Sequence, residues 1–330
     1  MSGLRRRGLL TALAVAPLAA PAVLRAQASG GLPDRPIRII VPYSAGGITD
    51  VISRGMAAGM QAVLGQNVIV ENRPGANGTV GTTAAARAPA DGTTITMGIT
   101  DTFAINRSTF PSLPYNDEAD FAPISMVTRV PFALMVGAHR REITDFASFV
   151  REAKREAGAL THASWGVGSS SHLAFEFVAR NQGFQKLHVP FAAQAPGMQA
   201  VAAGQVDSMM LPVGGANSLA VDNRARIVAL AHSQRIDLVP NVPTLTELGV
   251  PLATGLWLAL YAPARTPPGA IARLNQAVRD GVRHPQTMDV FRQQAGIGEP
   301  STPEELATFV RREREQWARV VREANITVNS

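Results

Sequence analysis

Short runs rich in β-branched residues alternate with helical patterns along this chain, and that alternation limits the folds open to it. In the first section, strands are predicted at residues 36–43, 67–71 and 93–99, with helices at residues 48–64 and 79–87. Strands that alternate with helices are typical of parallel βαβ units. The sequence therefore predicts an α/β fold.

A second section of the chain repeats this alternation. Strands are predicted at residues 132–136, 161–165, 187–191, 206–211 and 227–231, and helices at residues 145–157, from about 170 to 179, and 196–203. Thr144 is the predicted N-cap of the first of these helices. The tail differs, with one strand at residues 257–262 and helices at residues 268–282, 286–294 and 303–324. We expect two lobes, residues 29–130 with 252–330 and residues 131–251, and a tail that packs on the first lobe.

The first 28 residues have the pattern of an export signal rather than of folded structure. Arg5, Arg6 and Arg7 precede an apolar stretch at residues 9–20, and small residues flank a cleavage site that ends at Ala28. That stretch is too short to cross a membrane, which takes about 20 apolar residues. The order Arg-Arg-Gly-Leu-Leu resembles a twin-arginine signal, and an ordinary secretory signal is the alternative. We expect the mature protein in the periplasm.

Charge and composition exclude several classes of protein. The chain has 31 Lys and Arg against 25 Asp and Glu, and four of the arginines lie in the first 28 residues, so the mature chain carries a net charge of only +2. So small a charge gives no support for nucleic-acid binding. The sequence contains no cysteine, which excludes disulfides and cysteine-based metal sites.

Two strand-to-helix connections are rich in glycine and hydroxyl groups. The first is Ser-Ala-Gly-Gly-Ile-Thr-Asp at residues 44–50, and the second is Ser-Trp-Gly-Val-Gly-Ser-Ser-Ser-His at residues 164–172. Backbone N–H groups at a helix start bind anions, and glycine lets a ligand approach the backbone. With one such loop in each lobe, we predict a carboxylate site in the cleft between the lobes. For either loop alone, simple turn chemistry is the alternative.

Enzyme activity remains an alternative with weaker support. Ser169 to Ser171 beside His172 are residues that a hydrolase uses, but the chain has no Gly-x-Ser-x-Gly elbow. Gly166 and Gly168 are followed by Ser171 rather than by the third glycine of a dinucleotide fingerprint. The six histidines have no spacing that predicts a metal site. A ligand-sensing partner of a signalling system is a further alternative.

Several motifs in order carry a resemblance to a known family. They are PYSAGGITDVISR at residues 42–54, VENRPGANG at 70–78, APADGTT at 88–94, SWGVGSSSHLAFE at 164–176 and NVPTLTELGV at 241–250. Together they resemble the Bug family, the extracytoplasmic solute-binding receptors of tripartite tricarboxylate transporters. The resemblance implies a type II periplasmic-binding-protein fold, with two α/β lobes, a ligand cleft and a hinge between them. It also implies a monomer without cofactor, metal or catalysis, whose partners are a small carboxylate and the membrane subunits of the transporter.

Carried over residue by residue, the resemblance predicts a set of ligand-binding residues. The first loop contributes Ser44, Ala45, Gly46, Gly47, Thr49 and Asp50, and the second contributes Ser164, Gly166, Gly168, Ser169, Ser171 and His172. The expected site also includes Tyr43, Thr100, Asp101, Phe191, Ala193 and Asp207, the last as a supporting or ligand-facing acid. Phe191 and Ala193 stand where the family usually has Tyr and Gly, and Phe103 where His is common. These departures predict a more apolar pocket.

Overall fold

The computed structural model describes residues 31–324, together with Ile326 and Val328. The predicted export signal at residues 1–28 lies outside the described residues. The strands are β1 Ile37–Val41, β2 Val68–Asn72, β3 Thr94–Ile99, β4 Phe121–Gly137, β5 Thr161–Ser164, β6 Leu187–Pro190, β7 Ser208–Pro212, β8 Ala225–Ala231, β9 Gly255–Pro263 and β10 Ile297–Gly298. The main helices are Ile48–Leu64, Thr79–Ala86, Phe146–Ala153, Ser170–Gln182, Gln194–Ala202, Val213–Val221, Pro268–Gly281, Pro285–Gln294 and Pro303–Ala324.

Strand β4 connects two halves of the molecule. Its residues 121–131 pair antiparallel with β9, and its residues 132–137 pair antiparallel with β7 and β8. The first half contains β1 paired in parallel with β2 and β3, and β3 paired antiparallel with β9. The second half contains β5 paired in parallel with β6 and β7. Below, "first half" and "second half" denote these two groups with their helices; the lobe boundaries at residues 131 and 252 stay a prediction.

The parallel βα units place the starts of two helices at corresponding edges of the two halves. The helix Ile48–Leu64 follows β1, and the helix Ser170–Gln182 follows β5. The first helix has its predicted bounds, and the second starts as predicted but ends at Gln182, three residues later than predicted. Gly65 closes the first helix with φ of 70°, a left-handed conformation that glycine adopts without steric cost.

Among the elements that the sequence patterns missed or misplaced, three show the physical reasons; the two-residue strand β10 was also not predicted. Strand β4 starts at Phe121, eleven residues before the predicted 132–136. The missed part contains Pro123 and Pro131, which argue against a strand, and shows no regular alternation. The helix Val213–Val221 was not predicted, since its Val-Gly-Gly start has low helix propensity. The helix predicted at residues 145–157 is Phe146–Ala153, and its N-cap is Asp145 rather than Thr144. The Asp145 carboxylate accepts a hydrogen bond from Ser148 N, and the Ser148 side chain completes a capping box.

The closing helix Pro303–Ala324 packs on the first half. Arg314 donates from Nε to the carbonyl oxygen of Phe103 at 2.9 Å and forms a salt bridge with the buried Asp117 at 2.7 Å. Trp317 is buried on the same face. The helix also contacts the helix Ser170–Gln182 of the second half. It therefore borders both halves.

Candidate functional site

A cleft lies between the two halves, at the carboxyl ends of β1 and β5. The first half lines it with residues 42–49 except Gly46, with residues 74–78 except Ala76, and with Ile99 and Leu256. The second half lines it with Trp165 and residues 192–195. The predicted site residues that line this cleft are Tyr43, Ser44, Ala45, Gly47, Thr49 and Ala193.

The start of the helix Ile48–Leu64 is open toward this cleft. Its N-cap residue Gly47 is extended, with φ −77° and ψ 166°, and no side chain caps the first-turn N–H groups. Ser44 and Ala45 are exposed beside it, and Thr49 lies in the first turn. The helix macrodipole adds partial positive charge at this point. Backbone and hydroxyl donors therefore converge on one end of the cleft, which is an arrangement that binds an anion.

Asp50 holds this loop in place rather than lining the cleft. Its carboxylate accepts hydrogen bonds from Gly46 N at 3.0 Å, Asn72 Nδ2 at 3.0 Å and Arg54 Nε at 3.1 Å. Burial acts to raise the pKa of Asp50, but the hydrogen bonds from Arg54, Gly46 and Asn72 outweigh it and lower the pKa. Asp50 is therefore ionised at pH 7. The Gly46 N–H donates to this carboxylate and is not a donor for a ligand.

Asp101 occupies the start of the other helix, Ser170–Gln182. It follows β3 in the first half, and its fully buried carboxylate accepts from Ser170 N at 3.0 Å, Ser170 Oγ at 2.6 Å and Trp165 Nε1 at 3.1 Å. Burial raises the pKa of Asp101, and these hydrogen bonds oppose the rise. An acid of the chain itself thus fills the anion site that the second glycine loop predicts. Its neighbour Thr100 is also buried, and its hydroxyl accepts from the Trp257 backbone N–H at 3.1 Å.

The hydroxyls of the second loop are engaged within the loop and its neighbours. Ser164 and Ser169 both donate to the Gly166 carbonyl, at 2.9 Å and 2.7 Å. Ser169 also caps its helix by accepting from His172 N, and Ser171 donates to the Met210 carbonyl. Within the described part of the chain, these side chains do not line the cleft, nor does the buried Gly168. Trp165 is the residue of this loop that does.

Two histidines behind the loop are stacked and uncharged. The rings of His172 and His188 are parallel, with centroids 3.8 Å apart. Burial lowers the pKa of His172 to about 3 and that of His188 to about 4. Both are therefore neutral at pH 7. The Nδ1 of His172 accepts a hydrogen bond from Gly168 N at 3.2 Å.

The pair Ser164 and His188 lacks the features of a hydrolytic site. Ser164 Oγ lies 2.7 Å from His188 Nε2, and the Gly166 carbonyl oxygen, at 2.9 Å, competes for its proton. Ser164 is fully buried, and among the described residues no carboxylate hydrogen-bonds to His188. A nucleophile needs an exposed oxygen, a base that takes its proton and a group that orients the base. This pair instead fastens β6 to β5.

Three residues that the sequence associated with the pocket lie outside it. Asp207 is at the amino ends of β5 and β7, where it accepts from Thr161 N at 2.8 Å and from His139 Nε2 at 3.0 Å. That is the sheet edge opposite the cleft, so Asp207 supports the fold there. Phe191 is partly buried and donates from its backbone N–H to Ser164 O. Phe103 is buried and stacks on Tyr261 at 3.8 Å, so it does not make the pocket more apolar.

The turn at residues 74–78, which lies within the VENRPGANG motif, was not predicted as part of the site. Asn77 lines the cleft with a φ of 49°, and the Tyr43 hydroxyl donates to its carbonyl at 3.4 Å. Gly78 is packed so closely that a Cβ there would lie 2.9 Å from that hydroxyl. The turn follows β2, which pairs with β1, and this adjacency was the available signal. Trp165 and Leu256 were missed because the sequence does not distinguish an apolar residue that lines a binding site from one in the core.

The cleft is electrically neutral. Among the described residues, no Lys, Arg, His, Asp or Glu lines it. Arg54, the nearest cation in sequence to the first loop, is bound to Asp50 and to Asn72 Oδ1 at 3.1 Å. An anion in the cleft therefore meets dipoles and hydroxyls instead of a salt bridge.

Two properties of the described residues bear on other functions. Those residues contain no group of three or more His, Cys, Asp or Glu placed to hold a metal ion. None of the helices they form is long and apolar enough to cross a membrane.

Comparison with known sequences identifies a family and its members. The model of the tripartite tricarboxylate transporter family receptor matches residues 52–326. BugT of Bordetella pertussis is 32% identical over 293 residues, which is 88% of this chain and 90% of that protein. A UPF0065 protein from the tcbD-tcbE intergenic region of Pseudomonas sp. strain P51 is 31% identical over 331 residues, covering 100% of this chain and 97% of that protein.

Solved structures show the same fold. The periplasmic binding protein BugD superposes with a TM-score of 0.83 at 28% identity, covering 89% of this chain and 99% of that one. MatC from Rhodopseudomonas palustris, with bound malate, gives 0.82 at 31% identity, with 88% and 100% covered. R. palustris Rpa4515, with adipate, gives 0.85 at 27% identity, with 89% and 99% covered. The fold is that of periplasmic binding proteins, as the sequence motifs predict.

Proposed function

The chain belongs to the tripartite tricarboxylate transporter receptor family, and on this premise we propose that it captures a small organic carboxylate in its cleft for a membrane transporter of that type. Malate in MatC and adipate in Rpa4515 support the choice of a carboxylate. We propose that the chain is no enzyme, since receptors of this kind release their ligand unchanged. The membrane subunits of the transporter are its expected partners.

The observation that carries this proposal is the open start of the helix Ile48–Leu64 in a neutral cleft. Its first-turn N–H groups and the hydroxyls of Ser44 and Thr49 are donors for a carboxylate. Each hydrogen bond to a charged group contributes about 1.5–3 kcal/mol. Four or five such bonds, less the cost of association, support micromolar affinity, about −8 kcal/mol.

The predicted site residues divide into contacts and supports under this proposal. The contacts are those that line the cleft, namely Tyr43, Ser44, Ala45, Gly47, Thr49 and Ala193. The supports shape its walls or hold its loops, namely Gly46, Asp50, Thr100, Asp101, Ser164, Gly166, Gly168, Ser169, Ser171, His172 and Phe191. Asp207 supports the fold at the opposite sheet edge. Trp165 and Asn77 join the contacts.

We propose that the halves move as two lobes about β4 and the segment before β9. The pairing of β4 changes between Pro131 and Phe132, and Phe132 N donates to Thr254 O at 3.3 Å where the chain returns. Only two connections between the sheets therefore need to bend. A ligand held by residues of both lobes stabilises the closed arrangement by its differential affinity for it.

The proposal also covers location and assembly. The signal pattern at residues 1–28 supports export to the periplasm, by the twin-arginine or the ordinary secretory route. A monomer suffices, since one chain supplies both walls of the cleft. A chain lacking residues 1–28 is expected to fold in the cytoplasm and bind ligand, because no disulfide is needed.

Thermal stabilisation followed by recovery of the ligand tests this function. A panel of small carboxylic acids is screened for a rise in the melting temperature, and the best acid is recovered and identified by mass spectrometry. We expect stabilisation by an acid that is recovered unchanged after hours of incubation. Conversion of that acid to a product would show an enzyme instead.

A further inference from the structure

The donors of the cleft are concentrated at one end. Ser44, Thr49 and the open helix start lie on the first half, together with the turn that contains Asn77. The second half contributes Trp165, three alanines, Ala192, Ala193 and Ala195, and a single polar side chain, Gln194, whose amide donates to Met198 Sδ at 3.4 Å. A carboxylate is therefore accommodated at the first-half end, and an apolar body at the other.

The best equipped anion site of the second half is already occupied. Asp101 takes the N–H and the hydroxyl of Ser170 and the indole N–H of Trp165, all buried with it. A ligand carboxylate at this helix start would have to displace a carboxylate that is covalently part of the chain. This helix start is thus closed to a second anionic group.

The same contact sets the surface that Trp165 offers. Its Nε1 points to Asp101 at 3.1 Å, and its ring packs edge-on against Phe132 with centroids 5.8 Å apart. With the indole N–H turned away from the cleft, the part that lines the cleft is hydrocarbon. Such a surface favours an aliphatic or aromatic group over a polar one.

One further group of donors remains on the second half. The helix Gln194–Ala202 starts at the cleft with Ala193 as an N-cap that has no capping side chain. Its third residue is Pro196, which has no N–H, so Gln194 and Ala195 supply the backbone donors of the first turn. This start lacks the hydroxyl and the indole that Asp101 uses. It suits a neutral acceptor at the far end of a ligand.

We propose that the cleft binds a monocarboxylate with an apolar body, and that Asp101 determines this preference by occupying the second helix start. The inference rests on the proposed function, since it assigns the ligand class for the same cleft. A second carboxylate would lose its hydration against Trp165 and the alanines. It would meet there only the Gln194 side chain and two backbone N–H groups, without the hydroxyl and indole donors that Asp101 takes. Asp101 acts by position, because its side chain takes donors that a second carboxylate would need.

Matched pairs of acids test the preference. Hexanoate and adipate have the same chain length and differ by one carboxylate, as do benzoate and terephthalate in the aromatic series. Calorimetry on the full mature chain should give about tenfold or greater preference for the monocarboxylate within at least one pair. Tighter binding of the dicarboxylate in both pairs would overturn the inference and leave the proposed function intact.

Two substitutions of Asp101 test whether the preference comes from its occupation of the Ser170 and Trp165 donors or from its negative charge. Asp101→Ser frees the Trp165 and Ser170 donors, so the ratio of dicarboxylate to monocarboxylate affinity should rise about tenfold. Asp101→Asn keeps an oxygen that accepts from Ser170 N and Trp165 Nε1, so the monocarboxylate preference should persist. Asp222→Ser removes an exposed acid outside the cleft and is the control for net charge.

The outcomes distinguish the inference from the proposed function. An unchanged ratio in a folded Asp101→Ser protein, verified by its circular dichroism, would overturn the role of Asp101. If Asp101→Ser does not fold, Asp101→Asn decides the question. Loss of the monocarboxylate preference in Asp101→Asn would show that the preference does not come from an acceptor oxygen at residue 101. Hexanamide binding as tightly as hexanoate would overturn the proposed function itself, whichever acid of each pair is preferred.

Discussion

The indole Nε1 of Trp165, in the second half, donates a hydrogen bond of 3.1 Å to the carboxylate of Asp101, in the first half. The two residues are 64 positions apart in sequence, and their contact joins the halves beside the cleft. It places an acidic side chain where the glycine-rich loop predicts a bound anion. Trp165 therefore takes part in the contact between the halves and also lines the cleft.

Removing the Asp101 side chain should loosen the ligand-free protein. Asp101→Ala deletes three hydrogen bonds between the halves, so the open arrangement becomes more populated. Small-angle scattering without ligand should give a larger radius of gyration than the wild type. The same measurement on Asp222→Ala, which removes an exposed acid, should match the wild type. An Asp101→Ala protein as compact as the wild type would show that other contacts keep the halves together.

The hydroxyl donors of the first loop should each contribute modestly to affinity. Thr49→Val keeps the shape of the side chain and removes its hydroxyl, and Ser44→Ala does the same at the loop. We expect about tenfold weaker binding for each, because water can replace a lost hydroxyl. Ser218→Ala, on an exposed helix position outside the cleft, is the control. Unchanged affinity in both variants would remove these hydroxyls from the site.

Two glycines near the cleft should respond differently to alanine. A Cβ at Gly47 would meet only the Ser44 carbonyl oxygen, at an ordinary 3.5 Å, so Gly47→Ala should cost about 1 kcal/mol of stability or less. Its methyl group would stand at the helix start and weaken binding. A Cβ at Gly78 would lie 2.6 Å from Thr102 and 2.9 Å from Tyr43, on a backbone with φ of 84°.

Gly78→Ala should therefore lower the melting temperature clearly more than Gly47→Ala does, since both strain and overlap oppose it. Differential scanning calorimetry gives the stability of each variant, and titration with the same acid gives its affinity. If Gly47→Ala bound the acid as tightly as the wild type, the ligand would not approach this helix start closely.

The stacked histidines should make the fold sensitive to mild acid. In the folded protein the pKa of His188 is lowered to about 4 and that of His172 to about 3, whereas an unfolded histidine titrates near 6.5. The unfolded state therefore binds more protons between about pH 6.5 and 4. The stabilising contribution of these residues is complete above pH 6.5 and is lost as the pH falls through this range.

Denaturant unfolding at pH 7 and pH 5 measures this contribution. His188→Gln should lose less stability than the wild type between the two pH values, because one titrating group is gone. His232→Gln, at a half-buried histidine outside the stacked pair, is the control for the loss of a histidine. If His188→Gln lost as much unfolding free energy between pH 7 and pH 5 as the wild type, His188 would protonate in the folded state without a cost in stability.

Local signals in the sequence predict the first loop well. The helix Ile48–Leu64 has the predicted bounds, and the open N-cap at Gly47 follows from glycines placed between a strand and a helix. Order along the chain was enough here, because the strand, the loop and the helix are consecutive. The alternation of β and α elements likewise predicts the α/β class.

Long-range contacts explain what the sequence could not indicate. The role of Asp101 depends on Ser170, 69 positions away, and no local pattern links the two. Asp207 looked like a site acid, but it follows a helix and precedes β7, so it lies at the amino end of that strand. Phe103 looked like a pocket residue, but it is held in an aromatic cluster by Tyr261, 158 positions along the chain.

The central claim is that neutral donors at the start of the helix Ile48–Leu64 bind a carboxylate. Isothermal titration calorimetry of hexanoate and benzoate, each against its own primary amide, tests it most directly. The amide keeps the size and the apolar body of the acid but has no negative charge. The account predicts that the better-bound acid has micromolar affinity and that its amide binds at least about tenfold more weakly, a difference of about 1.4 kcal/mol. An amide that binds as tightly as its acid would contradict it.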